Sequence, residues 1–170
     1  MNAAAPPQGE KVPSGGQRST RSDEPAGPQP HELFERVRLS FERQGLMRHL
    51  GATLLRVEPG RCELALPYSE RVTQQQGGFH GGAIGALADI AGGYAALTMA
   101  PEGMEVVSVE YKINFLAAFK DGELRAVGRV LKGGRRLIVT SAEVQHVAPD
   151  GTVSPCAVLQ QTVMPVPQTY

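Results

Sequence analysis

Surplus charge, paired cysteines and clustered metal ligands are all missing from this 170-residue chain, and each gap closes off a class of function. Seventeen basic and seventeen acidic side chains leave no net charge. That argues against a protein held to nucleic acid by neutralising phosphates. The two cysteines, Cys62 and Cys156, have neither metal-ligand spacing nor the density of a disulfide framework. A reduced, cytoplasmic setting is the expectation. His31, His49 and His146 are scattered, so neither a metal nor a cofactor is expected. Met1 to Pro30 holds no apolar run of the kind that leads a secreted protein.

What the chain does have is one long apolar stretch. Gly81 to Ala100 reads GGAIGALADIAGGYAALTMA, with Asp89 as its only charged residue. Twenty residues could span a bilayer. This run holds five glycines and a central carboxylate, however. It reads as a buried central helix, and no membrane contact is expected. Residues 1–30 carry six of the thirteen prolines and almost no large apolar side chain. Such a segment cannot offset its own ordering entropy. It reads as a disordered tail, with a folded domain over 31–170.

Around the central helix the pattern alternates. Leu33, Phe34, Val37 and Phe41 fall at helical spacing between His31 and Gln44, and Gly45 reads as the stop. Ala52 to Glu58 and Arg61 to Pro67 read as strands about a Pro59-Gly60 turn. In the second strand Cys62, Leu64 and Leu66 share a face, so Cys62 reads as a core side chain rather than a nucleophile. Glu105–Phe115, Glu123–Val130, Leu137–His146 and Thr152–Val163 read as four more strands. Lys120-Asp121-Gly122, Lys132-Gly133-Gly134 and Pro149-Asp150-Gly151 suit hairpin turns between them. Short connections favour antiparallel pairing. The expected class is α+β, a single antiparallel sheet wrapped around the central helix.

A lone carboxylate in such a helix is costly to bury unless it is paired or used. Just upstream, the Gln74–His80 segment, QQQGGFH, supplies amides, glycines and an imidazole at the helix start. There, free N–H groups can receive an anion. The stretch VTQQQGGFHGGAIGALADIAGGYAA, followed by VVSVEYKINFL and KGGRRLIVTSAEV, resembles the hotdog-fold acyl-CoA thioesterases of the phenylacetate-degradation (PaaI-like) type over roughly residues 45–165. The resemblance implies roles residue by residue. Gln74 stands where relatives place an Asn or Gln before the His-Gly-Gly turn. Gly81 would donate its backbone N–H to the thioester carbonyl. Asp89 would act as nucleophile or general base. Ser108 would help position the water or the carboxylate.

Thioester hydrolysis places negative charge on the carbonyl oxygen, and a preformed N–H donor aimed at it is worth about 2.7–4 kcal/mol. A carboxylate can activate water or attack directly. Gly81 and Asp89 are eight residues apart, about 12 Å along a helix at 1.5 Å per residue. One carbonyl carbon cannot sit about 3 Å from both groups of one chain. The expectation is therefore a homodimer with sites shared between chains. The resemblance implies the same, often as a dimer of dimers.

Several residues keep two readings. Asp89 is either catalytic or a buried carboxylate satisfied by backbone amides. His80 either orients the turn or serves as a general base. Gln74 either braces its loop or touches substrate. The turn Lys132-Gly133-Gly134-Arg135-Arg136 is either a solvated hairpin or a contact for coenzyme A phosphates. Gly82, Arg135 and Arg136 are the expected substrate contacts, and Leu87, Ala88 and Tyr94 the expected acyl lining. The leading function is hydrolysis of a small or medium acyl-CoA, aromatic ones included. The alternatives are an enoyl-CoA hydratase and a non-catalytic acyl-CoA-binding domain.

Overall fold

The computed structural model describes residues 30–170. The expected disordered tail lies outside the described residues, apart from Pro30, which opens helix α1 (Pro30–Glu42). Leu33, Val37 and Phe41 stack at four-residue intervals on one face of α1 and are buried. The helix expected to run to Gln44 stops at Glu42, and a second helix, α2 (Gly45–Leu50), begins at the glycine read as a stop. The reason lies in backbone angles. Gln44 is extended, and the left-handed glycine is Gly51, at φ 81°. The Gly51 N–H donates to Arg48 O and the Ala52 N–H to Met47 O, the paired bonds that close a helix on glycine.

Next come β1 (Thr53–Glu58), β2 (Arg61–Pro67) and a 3₁₀ turn over Glu70–Val72. The central helix α3 spans Gly81–Leu97, ending before the expected Ala100, and β3 (Met104–Phe115), β4 (Glu123–Lys132), β5 (Ile138–Val147) and β6 (Val153–Pro167) follow. All pairings are antiparallel, in the order β1-β2-β4-β5-β6-β3. Helix α3 packs against β2, β3, β4, β5 and β6. The sheet thus curls around it, the α+β arrangement expected from the pattern and the hotdog fold implied by the resemblance. Among the described residues no helix is long and apolar enough to cross a membrane.

One expected hairpin is absent. Lys120-Asp121-Gly122 does not join paired strands, because β3 pairs only with β6 while β4 lies between β2 and β5. The segment from Leu116 to Gly122 is a crossover. It passes the start of α3, where the Phe79 N–H donates to Phe119 O (3.0 Å), and ends where the Tyr68 N–H donates to Gly122 O (2.9 Å). A curled sheet brings its edge back near its middle, so a short segment can bridge strands that are not neighbours. Cys62 is fully buried, as its face predicted. Burial pushes its thiol up to about 12 and that of Cys156 to about 11, so neither supplies a thiolate at neutral pH.

Candidate active site

Helix α3 places the site through a run of four-residue steps. Gly81, Gly85, Asp89 and Gly93 share one face, and β3 lies along it. A Cβ built at Gly81 would stand 3.2 Å from the Phe115 ring, one at Gly85 would meet the Tyr111 hydroxyl at 3.8 Å, and one at Gly93 would meet Val106 at 4.0 Å. Asp89 is thus the one side chain longer than a hydrogen in this row.

A bulge makes this alignment work. Ser108 pairs with Val163 and Glu110 with Thr162, so Val109 is an extra residue in β3. Side chains of a regular strand alternate. The bulge shifts that alternation, re-aiming the strand beside the site. Val106 and Ser108 face α3 before it, and Tyr111 and Phe115 face α3 after it.

Asp89 is half-buried. Its Oδ1 accepts from Ser108 Oγ at 2.6 Å and from Gln161 Nε2 at 3.0 Å. Its Oδ2 has no partner among the described residues. A recess of about 60 Å³ opens beside it, lined also by Gln44, Ile90, Gly93, Tyr94, Glu105 and Val106. The Tyr94 hydroxyl there accepts from Gln44 Nε2 (2.8 Å) and shares a hydrogen bond with Ser40 Oγ (3.1 Å). Burial, outweighing those two contacts, pushes that phenol well above its ordinary range. It stays neutral. A larger groove of about 1460 Å³, between α1, the residues after α3 and Tyr170, contains none of the expected site residues. Chemistry rather than size therefore points to the small recess. Leu87 and Ala88 do not line it: both are fully buried in the core. Only Tyr94 of the expected acyl lining reaches it.

The start of α3 is arranged around His80. A helix N-terminus leaves four N–H groups without intrahelical partners. His80 accepts from two of them, and a third, its own N–H, donates to Val72 O at 2.7 Å. The His80 Nδ1 accepts from Gly82 N at 2.8 Å, and its carbonyl accepts from Ala83 N (2.9 Å). The fourth, the Gly81 N–H, has no partner among the described residues. An accepting Nδ1 leaves the ring proton on Nε2, so His80 acts here as the cap of the helix. Gly82 has its N–H engaged and can offer a ligand only its Cα surface.

Gln74 braces the preceding turn. Its Oε1 accepts from the Gln76 N–H, its own N–H donates to Gly78 O (2.9 Å), and Gly77 N–H donates to its carbonyl (2.8 Å). Its Nε2 makes no hydrogen bond among the described residues. Arg135 and Arg136 lie in the exposed β4–β5 connection and are likewise unpaired among the described residues. The structure thus brings Asp89 and Ser108 together, keeps the Gly81 donor a helix segment away, and leaves the two arginines apart from both.

These features meet a consistent set of relatives. A family model described as the Thioesterase superfamily matches residues 76–150. A thioesterase family protein of Silicibacter pomeroyi superposes with a TM-score of 0.76 at 36% identity, over 80% of this chain and 99% of that one. This chain belongs to the thioesterase superfamily. The proofreading thioesterase EntH of Klebsiella pneumoniae is 35% identical over 91 residues, 54% of this chain and 66% of that protein. The E. coli PaaI protein of the phenylacetic acid degradation operon shares the fold, with a TM-score of 0.71 at 20% identity over 82% of this chain and 97% of that one. The chain is a thioester hydrolase with the PaaI-like hotdog architecture.

Gln161 is not among the site residues expected from the sequence, although the sequence carries a signal for it. Ala157, Leu159, Gln161 and Val163 alternate along β6 and all four are buried, so a single amide stands on an otherwise apolar face.

Proposed function

We propose that this thioesterase hydrolyses acyl-CoA thioesters carrying a small or medium acyl group, aromatic ones included, with Asp89 as the general base or nucleophile and the Gly81 N–H as the oxyanion donor. The observation that carries the reading is the division of labour at Asp89. One carboxylate oxygen is tied by two donors, and the other is unpaired beside a recess. That leaves Oδ2 to take a proton from water or to attack the acyl carbon. The free N–H at Gly81, on a residue with no side chain to obstruct the thioester, supplies the complementary charge.

The two groups belong to different copies of the chain. The separation along α3 requires it, and β3 offers the means. It is one of the sheet's two edge strands, and Val107, Val109, Tyr111 and Phe115 are exposed along it at 43–55%. Pairing two such edges would cover these side chains and bring Asp89 of one chain toward Gly81 of the other. We assign the functional unit to a homodimer. Arg135 and Arg136 supply charge for the coenzyme A phosphates from their exposed turn.

The deciding experiment is free-thiol release from short, medium and long straight-chain acyl-CoAs together with phenylacetyl- and benzoyl-CoA. Turnover of at least one small, medium or aromatic member is expected, and release from none of them would overturn the acyl-CoA reading. Arg135→Ala and Arg136→Ala should raise KM for CoA thioesters by roughly three- to tenfold, as exposed charge pairs of about 1 kcal/mol would give. Thioesters that lack the nucleotide should be unaffected. An equal effect on both substrate kinds would remove the arginines from the phosphate site.

A further inference from the structure

The buried amide of Gln161 sits behind the catalytic carboxylate in an arrangement that ordinary packing does not explain. Gln161 is 0% exposed in mid-strand β6, between Thr140 of β5 and Tyr111 of β3. Its Nε2 donates to Asp89 Oδ1 at 3.0 Å and reaches Ser108 Oγ at 3.4 Å. One NH₂ group thus touches both partners of the Asp89–Ser108 bond. Its own Oε1, fully buried, has no hydrogen-bond partner among the described residues, and neither does the neighbouring Thr140 Oγ1. A buried amide left half-satisfied is unfavourable, and an apolar residue at this place would avoid it.

Helix α3 is cut to admit this amide. A Cβ at Gly92 would lie 2.3 Å from Gln161 Oε1 and 2.8 Å from Thr140 Oγ1. Any larger residue at position 92 would drive the amide out of its place. The amide cannot turn over either. With Oε1 toward Asp89, two acceptors would face one another and the carboxylate would lose a donor.

We infer that Gln161, seated in the notch left by Gly92, is a positioning residue that locks Asp89 Oδ1 together with Ser108 and so presents Oδ2 to the reacting water or acyl carbon. The inference rests on the catalytic assignment of Asp89. Gln161 itself touches no substrate. It acts by removing one oxygen, and one axis of rotation, from the carboxylate. Preorganisation of this kind affects the chemical step more than binding.

The test compares Gln161→Met, which keeps the length and loses the donor, with Gln161→Glu, which keeps the shape and sets a carboxyl against Asp89. Asp89→Asn is assayed beside them. Both Gln161 variants should lose roughly 10- to 100-fold in kcat with KM within threefold. A role in packing alone would change melting behaviour and leave kcat of the folded enzyme in place. Full activity in the Gln161 variants with an inactive Asp89→Asn would overturn the inference about Gln161 alone. Full activity in Asp89→Asn would overturn the assignment beneath it. If Gln161→Met does not fold, Gln161→Glu decides by the same criteria.

Discussion

Asp89→Asn is expected to lower kcat by about 10²–10⁴-fold, the range a positioned general base supplies, while KM and folding stay close to those of the parent. Asparagine keeps the shape of the side chain. Its Oδ1 can still accept from Ser108 Oγ and Gln161 Nε2, the two bonds seen at Asp89. What it loses is an oxygen able to take a proton or attack a carbonyl. Asp89→Ala should be equally inactive and also less stable. It strands the Gln161 amide, which is fully buried, at about 1–3 kcal/mol for a buried donor without a partner. Steady-state kinetics and a denaturant melt on the two variants separate the chemical effect from the structural one. Retention of more than a tenth of the parent rate in Asp89→Asn would show that another group does this work.

The second large effect is on stability and lies on the opposite side of α3. Gly128→Ala should destabilise the fold by about 3 kcal/mol or more, at or above the upper end for overpacking. A Cβ at Gly128 would fall 2.0 Å from Ala91 O, 2.2 Å from Ala91 C and 2.6 Å from Gly92 N. These are backbone atoms. They belong to a helix locked by its own hydrogen bonds, and Gly128 belongs to a strand paired on both sides, with Cys62 and Ala142. No side chain can rotate away. The helix would have to lift off the sheet, taking Asp89 with it. Gly133→Ala is the matched control: nothing lies within 4 Å of its Cβ position, and its stability should stay within about 0.5 kcal/mol of the parent. Equal melting of the two variants would show that the helix is free to shift on the sheet.

The elements that could be read from the chain are those whose signal is local. Helix α3 announced itself through a run in which nearly every side chain is small or apolar, and β4, β5 and β6 through alternation between recognisable turns. Gly45 misled because a glycine after a helical pattern has two uses, and only the left-handed φ of Gly51 shows which glycine closes a helix. The Lys120-Asp121-Gly122 turn has hairpin residues, and Asp121 and Gly122 do take positive φ of 67° and 60°. Yet the strands it connects are not neighbours, since pairing depends on how far the sheet curls. Leu87 and Ala88 share a helix with Asp89, but their face was not determined by spacing alone on a helix apolar nearly all round. The facing of Ser108 depends on a bulge that no residue type at Val109 declares. Gln161 was legible by parity as a buried amide. Its partner was not, because the contact spans seventy-two residues of chain.

The bulge at Val109 also bears on the homodimer proposed above. A long, flat, apolar edge strand is an invitation to open-ended pairing, strand upon strand. The twelve residues of β3 would form such an edge were it straight. An extra residue of this kind bends and twists a strand, and here it breaks the edge into two shorter stretches, Met104–Ser108 and Glu110–Phe115. In the proposed homodimer a second β3, related by two-fold symmetry, presents the same bend to this edge. The extra residue that lets Ser108 and Tyr111 both face α3 thus also makes the exposed edge a poor template for a fibre, as the proposed closed pair needs.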